Sequence, residues 1–406
     1  MSSAHHKPVS QRRVFYIPGY DPIHPRRYRE LYRKEAAAQA AVSGYDITLR
    51  AAQRSDHYGW QVDATIDARQ VHADVDVLVW SDIVRDSMAA SIPGTYLQLV
   101  RTAWTYIASG ALRRLMRLRK GPVIAALYPV GMLLGQALLA LVAWYVIWRF
   151  CAMFGGIGAG LGLALGAAAF VLLLRLFKAK DGTFFAYYLM HDYAYSAASN
   201  GANPPELEAR LRQFQDSIAA ALKEDVDEVL VVGHSSGAHL AVSILSDLIR
   251  AGRVPAQGPA LGFLSLGQVV PMVSFLPGAH RVRADLHYLS MRDELTWVDV
   301  TAPGDGCAFA LCDPVAVSGV APEAKRWPLV FSAAFTQSLS PERWKELRWR
   351  FFRLHFQYLC AFDRPKDYDY FQITAGPLTL ADRYADRPPS KSRIDVPVSK
   401  YTSVTA

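Results

Sequence analysis

A serine hydroxyl attacks a carbonyl only where the backbone exposes it and a base can reach it. Residues 229–240, Val-Leu-Val-Val-Gly-His-Ser-Ser-Gly-Ala-His-Leu, have the pattern that meets the first condition. Four aliphatic residues read as a buried strand, and Gly233-His234-Ser235-Ser236-Gly237 then supplies Gly-x-Ser-x-Gly where the strand ends. Ala238, Leu240, Ala241, Ile244, Leu245 and Leu248 continue at helical spacing. A strand-to-helix turn of this kind strains its central residue, so the flanking glycines must be small enough for strand and helix to close on each other. The helix's first free N–H groups add partial positive charge beside Ser235.

A strand, a Gly-x-Ser-x-Gly elbow and a helix in this order resemble the α/β-hydrolase superfamily, specifically its lipases and esterases. The resemblance implies a triad in the chain order serine, acid, histidine, with Ser235 as nucleophile. The acid is then expected in a loop after a later strand, and the histidine near the end. In residues 297–306, Trp-Val-Asp-Val-Thr-Ala-Pro-Gly-Asp-Gly, Asp305 sits in a glycine-framed loop just beyond a predicted strand. A tryptophan, an apolar strand and an aspartate in a short loop are similar to several lipase families. Asp299, on the strand itself, and Asp313, before a proline, stay open as alternatives.

For the base, His355 leads. It follows Asp305 by fifty residues, and Tyr358 makes a His-x-x-Tyr spacing similar to that of some lipases. Residues 344–358 also read as one amphipathic helix, which would make His355 a helix-face residue. His280 and His287 precede Asp305 and would break the order, while His234 and His239 flank the serine and are expected to shape the elbow. The resemblance further implies two backbone N–H donors for an oxyanion. Ser236 is one. The other lies after an early strand, where the family usually carries His-Gly-x; here Pro18-Gly19-Tyr20 stands there, with proline in place of histidine and Tyr20 as donor. No metal or organic cofactor is implied.

These residues must be positioned by a chain of 406 residues, long enough for one large domain with an insertion. It is 51% hydrophobic, with a mean hydropathy of +0.09 and a net charge of +8. The excess charge is clustered: Arg113, Arg114, Arg117, Arg119 and Lys120 in one group, Arg175, Lys178 and Lys180 in another. No aromatic-interleaved basic groove accompanies them, so no nucleic-acid partner is expected; contact with anionic lipid is. Residues 121–148 and 150–174 between the clusters contain no charge, and each exceeds the ~20 residues needed to cross a bilayer. A transmembrane hairpin turning near Trp148, Arg149 and Phe150 is predicted, with both ends cytoplasmic by the positive-inside rule. Gly156, Gly158, Gly160, Gly162 and Gly166 give small-xxx-small spacings that suit helix packing, within the hairpin or onto a second copy. Cys151, Cys307, Cys312 and Cys360 show no metal-ligand spacing; Cys307 and Cys312 could pair, but free thiols are the simpler reading, and the N-terminal run does not read as a signal peptide.

Strands are predicted at 13–17, 45–49, 75–80, 229–234, 260–266, 285–290 and 295–300, with a helical segment between the second and third. Helices are predicted at 25–41, 91–119, 205–223 and behind the elbow, and at 183–196 lying on the lipid surface. Alternation of this kind argues for an α/β class with a mostly parallel sheet and helices on both faces, interrupted by the hairpin. Neither half has strands enough to bury both faces, so the halves must share one sheet. The expected organisation is an N-terminal core part (1–120), the hairpin (121–177), a C-terminal core part (178–385) and a loose tail (386–406). The expected function is a serine hydrolase anchored in a bacterial inner membrane, cleaving carboxylic esters of lipid-like substrates. An acyltransferase, or a non-catalytic interaction protein on the same fold, is the alternative.

Overall fold

Strands that are apolar at consecutive positions need cover on both faces. In β1 (Gln11–Ile17), Val14 and Tyr16 enter one core while Phe15 and Ile17 enter another. The same division recurs in β5 (Glu228–His234), with Leu230 and Val232 on one side and Val229 and Val231 on the other. The first core is closed by the helix Arg26–Ser43, through Tyr28, Tyr32 and Ala36, and by C-terminal residues including Phe335, Leu354 and Phe371. The second is closed by the helices Pro205–Ala221, Gly237–Arg250 and His280–Leu289. The computed structural model describes residues 8–52 and 57–405.

The remaining strands are β2 (Asp46–Ala51), β3 (Tyr58–Ile66), β4 (Arg69–Val77), β6 (Ala260–Leu266), β7 (Thr296–Thr301) and β8 (Leu329–Ser332). One eight-stranded sheet results, in the order β2-β3-β4-β1-β5-β6-β7-β8. Every pairing from β4 through β8 is parallel, whereas β3 runs antiparallel to both β2 and β4. The class is therefore α/β with a mixed sheet.

Where a helical segment was expected between the second and third strands, the chain forms β3. Trp60, Val62, Ala64 and Ile66 are buried in strict alternation, the period of a strand. Asp67 and Ala68 then turn with φ of 52° and 58°, the two positive values of a tight hairpin. Residues 285–290, expected as a strand, belong instead to the helix His280–Leu289, whose Val282, Leu286 and Leu289 recur at helical spacing. The segment 91–119 is two helices, Ile92–Ala108 and Ala111–Leu118, separated at Gly110 with φ +75°. The segment expected on a lipid surface forms the helix Ala186–Ala198, and much of it is inside: Tyr187, Met190 and Ala194 pack with Leu99 and Leu133. The tail lacks long elements but is not loose. Ile394 exchanges backbone hydrogen bonds with the 311–313 segment, and the buried Arg283 guanidinium donates to Ser403 O.

Two helices, Lys120–Ala152 and Gly155–Ala179, are long and apolar enough to cross a membrane, with mean hydropathies of 2.0 and 2.3 over their most apolar windows. Only 17% of each window is buried inside the protein, where the core helix of a soluble protein would be mostly covered. Pro129 and the glycines do not interrupt them. They pack together along Gly158, Gly162 and Gly166: a Cβ at Gly162 would lie 2.7 Å from Cys151 Cβ, and one at Gly166 would overlap the Trp144 ring. The ridge formed by these three glycines is thus occupied within the hairpin, while Gly156 and Gly160 face open space.

Parallel pairing aligns the carboxyl ends of β1, β5, β6 and β7. Ile17 lies beside Gly233, His234 beside Leu266, and Leu266 beside Val300. Loops leaving one such edge are where open α/β sheets gather functional groups.

Candidate active site

Ser235 follows β5 with φ +57°, a conformation that side-chain-bearing residues seldom adopt. Its amide donates to Leu266 O at 2.9 Å, which pins the turn to the neighbouring strand. Both flanking glycines are required by contact. A Cβ at Gly233 would lie 2.8 Å from Ala238 Cα, and one at Gly237 would overlap the carbonyl oxygen of Ile17. Gly19 approaches from the loop after β1, where a Cβ would stand 2.9 Å from Ser235 Cβ and 3.3 Å from its Oγ.

The segment 344–358 is broken rather than continuous. The helix Pro341–Leu347 ends, and a separate turn, Phe351–His355, carries the histidine before a 3₁₀ turn at Gln357–Leu359. That break aims His355 into the sheet edge. Its Nδ1 donates to Asp305 Oδ2 at 2.7 Å, and the same oxygen accepts the Tyr358 hydroxyl at 3.1 Å. Asp305 Oδ1 accepts the Cys307 amide at 2.9 Å. Burial alone would raise the Asp305 carboxyl; the His355 charge and these hydrogen bonds outweigh it and hold the group below the ordinary aspartate range. With Nδ1 committed to the carboxylate, Nε2 is the basic nitrogen of a neutral His355. Nε2 is buried and hydrogen-bonds to no described group, Ser235 Oγ included.

His355 is held from behind as well. His234 Nε2 donates to His355 O at 3.0 Å, and burial, then the His355 charge, push His234 down to about 3, so it stays neutral. Gly267, after β6, has φ +53°, and a Cβ there would lie 2.7 Å from Tyr358 and 3.1 Å from His355 Cε1. The Tyr358 hydroxyl also accepts the Ala302 amide at 2.9 Å, tying the histidine turn to the Asp305 loop.

Among the described residues, neither the Tyr20 nor the Ser236 amide donates to a protein acceptor. The Tyr20 loop is tied at two points: Trp80 Nε1 donates to Pro18 O at 3.0 Å, and the Tyr188 hydroxyl donates to Tyr20 O. Two free N–H groups on either side of a strained serine can receive negative charge on a carbonyl oxygen.

The other aspartates serve different ends. Asp299 is buried on β7 with Oδ1 accepting the Ser265 hydroxyl at 2.6 Å, and burial pushes it up to about 8. Asp313 caps the turn Pro314–Val317 through the Val315 and Ala316 amides and pairs with Lys325 at 2.7 Å. His280 and His287 lie on the helix His280–Leu289, with His287 Nδ1 donating to Val320 O. All four cysteines are free thiols. Potential ligand atoms of Asp305, Cys307 and His355 lie within 4.8 Å of one another. The carboxylate and Nδ1 are already hydrogen-bonded there, and burial raises the Cys307 thiol, so this donor set suits a hydrogen-bonded pair better than a cation.

Ser235, Ser236, Tyr20 and His355 line one cavity of ≈ 920 Å³. Pro122, at the start of the first apolar helix, and Asp181 and Phe185, just past the second, line it too. Gly121 packs on Gly306 beside Asp305, and Arg119 Nε donates to Ala310 O at 2.8 Å, so the hairpin roots touch the acid loop. Tyr188 and Asp192 line the cavity without having been singled out in the sequence, and His239, expected to shape the elbow, lines the cavity as well. The i, i+4 spacing of Tyr188 and Asp192 was the available signal. No family model, curated protein or solved structure matches this chain.

Proposed function

We propose that this protein is a membrane-anchored serine hydrolase of the α/β-hydrolase type, cleaving carboxylic esters of lipid-like substrates. The observation that carries the reading is the Asp305–His355 hydrogen bond, which leaves Nε2 free beside the cavity that Ser235 lines at φ +57°. His355 Nε2 takes the Ser235 proton as Oγ attacks the ester carbonyl carbon, and Asp305 steadies the imidazolium that forms. The oxyanion is received by the Tyr20 and Ser236 amides. His355 then gives its proton to the leaving alcohol oxygen, and water, deprotonated by the same nitrogen, releases the acyl group and regenerates the serine.

The lipid-like substrate class follows from location. A cavity bounded by Pro122, Asp181 and Phe185 sits at the root of two helices whose exposed residues include Leu134, Leu138, Val142, Leu161 and Leu172. In a bilayer that root lies at headgroup depth, beside Arg113, Arg117, Lys120, Arg175 and Lys180. Both termini and the catalytic part then lie on the cytoplasmic side.

Labelling by a fluorophosphonate probe tests the chemistry: wild type is expected to react at Ser235, and Ser235→Ala to lose that signal. Equal labelling of both, in folded membrane-inserted protein, refutes the assignment. A cysteine accessibility scan that found residues 8 and 400 on opposite sides of the membrane refutes the topology.

A further inference from the structure

The helix Ala186–Ala198 turns Tyr188, Asp192 and Tyr195, at i, i+4 and i+7, to the same side. The Tyr188 hydroxyl is engaged with Tyr20 O. Asp192 is different: its carboxyl makes no hydrogen bond and no ion pair with any described residue, although it lines the cavity that holds Ser235. The titratable groups close enough to interact with it are Tyr20 after β1, Tyr188 and Tyr193 on its own helix, Tyr106 on the helix Ile92–Ala108, Cys307 in the Asp305 loop, and His355, while Tyr195 and His239 share the recess beside it. The phenols and the thiol are all raised by burial and stay neutral, and burial pushes His239 down to about 4. Arg27, Lys34, Arg343 and Arg353 line the same cavity, but none of them pairs with Asp192 or shifts its carboxyl. Burial therefore pushes Asp192 up to about 7, with His355 the one neighbour that draws it back.

A recess of ≈ 20 Å³ adjoins the main cavity, walled by Tyr20, Trp80, Asp192, Tyr195, Ser236 and His239. That is room for one water-sized group. Two polar atoms of this wall, His239 Nδ1 and the Tyr195 hydroxyl, are buried without a partner. The rings of Tyr20, Trp80 and Tyr195 pack on one another at this wall, with centroid separations of 5.7 Å (Tyr20–Tyr195), 6.0 Å (Tyr20–Trp80) and 6.2 Å (Trp80–Tyr195). A carboxylate lacking a counter-ion, an unpaired imidazole nitrogen and an unpaired phenol oxygen together suit a small cation that donates hydrogen bonds. A primary ammonium group is water-sized; a trimethylammonium group is too large.

We propose that this recess is a subsite for a primary ammonium group on the substrate, with Asp192 as its counter-charge. The assignment deepens the serine-hydrolase reading and rests on it for the word substrate. Its electrostatic logic follows from the shared wall. Ser236 and Tyr20, which would receive the oxyanion, border the recess with Asp192. An ionised, unpaired Asp192 there opposes the developing negative charge, whereas an ammonium group bound to it cancels the effect. Amphiphiles carrying an ammonium head are thus accepted above neutral pH, where neutral analogues meet an uncompensated carboxylate.

Binding can be measured without catalysis, by titration calorimetry of the full-length Ser235→Ala protein with hexylammonium and with hexan-1-ol against a detergent blank. At pH 8, hexylammonium is expected to bind about tenfold more tightly or better. Near pH 7 its binding should release a proton, seen as a buffer-dependent enthalpy, because it ionises Asp192. Asp192→Asn should erase the preference and the proton release, and Asp192→Glu should keep the preference. Equal affinities in the Ser235→Ala protein, or a preference that survives Asp192→Asn, overturn the subsite. Should Asp192→Asn fail to fold, the proton release of the Ser235→Ala parent still decides. Ammonium preference without Ser235-dependent labelling of wild type refutes the enzyme reading alone; labelling without the preference refutes the subsite alone.

Discussion

Replacing Tyr358 by phenylalanine removes one oxygen from a fully buried site and tests how the histidine turn is held. That oxygen donates to Asp305 Oδ2 at 3.1 Å and accepts the Ala302 amide at 2.9 Å. Losing a hydrogen bond to a charged carboxylate costs roughly 1.5–3 kcal/mol, and stranding a buried amide costs roughly 1–3 kcal/mol. Both effects act through the same atom and do not simply add, so a destabilisation of about 2–4 kcal/mol is expected. The Asp305 carboxylate also loses one of the donors that keep it ionised, which weakens its support of a protonated His355. At about 1.4 kcal/mol in the transition state, kcat falls about tenfold with KM little changed. Urea unfolding in detergent and hydrolysis of a short chromogenic ester read the two effects separately. A Tyr358→Phe protein as stable and as active as wild type would refute the bonding scheme. A stability loss without any fall in kcat would place Tyr358 in the scaffold alone.

Further expectations follow from contacts elsewhere in the structure. Gly19→Ala pushes a methyl group to within 2.9 Å of Ser235 Cβ, so fluorophosphonate labelling should slow about a hundredfold while circular dichroism stays that of wild type; unchanged labelling would show that the loop yields. Asp299, pushed up to about 8, keeps its proton in the folded state while the unfolded chain ionises near pH 4. The folded protein therefore loses stability relative to an Asp299→Asn variant as pH rises from about 4 to 8. The stability of the variant relative to wild type should rise by several kcal/mol between pH 4 and pH 9, and a difference that is flat with pH would refute this. Gly166→Leu drives a side chain into Trp144 and should lower the thermal stability of the hairpin, whereas Gly160→Leu enters open space and should not; equal effects would contradict the packing.

Local patterns settled a good deal. The apolar runs at 14–17, 229–232 and 261–266 had to be strands buried on both faces, because no polar face interrupts them. The charge-free stretches had to be helices, since backbone groups in so apolar a setting need internal partners. The break at Gly233-x-Ser235-x-Gly237 marked a turn that only small flanking residues allow. The readings failed where a local pattern was weak or ambiguous. Trp60, Val62, Ala64 and Ile66 alternate, yet the polar residues between them masked β3, and its antiparallel sense depends on pairing with β2 and β4. Residues 285–290 are apolar enough for a strand, but Leu286 and Leu289 are drawn with Val282 onto the sheet as a helix. The tail carries no periodicity because what holds it is hydrogen bonding of its backbone, to the 311–317 segment and to the Arg114 and Arg283 side chains.

By itself the sequence determined which residue types were at hand: an elbow serine, aspartates at 299, 305 and 313, and one histidine after them in chain order. Which aspartate meets His355 is a matter of where chain segments fifty residues apart converge, and the broken turn at Phe351–His355 decided it for Asp305. Asp299 and Asp313 were taken up by Ser265 and Lys325 instead. Tertiary structure alone brought Gly19 against Ser235, carried the hairpin roots to the cavity wall, and left Asp192 there without a counter-charge among the described residues. Periodicity records the face a residue presents to its own element; the partner across a cavity depends on packing between elements, which no local pattern encodes.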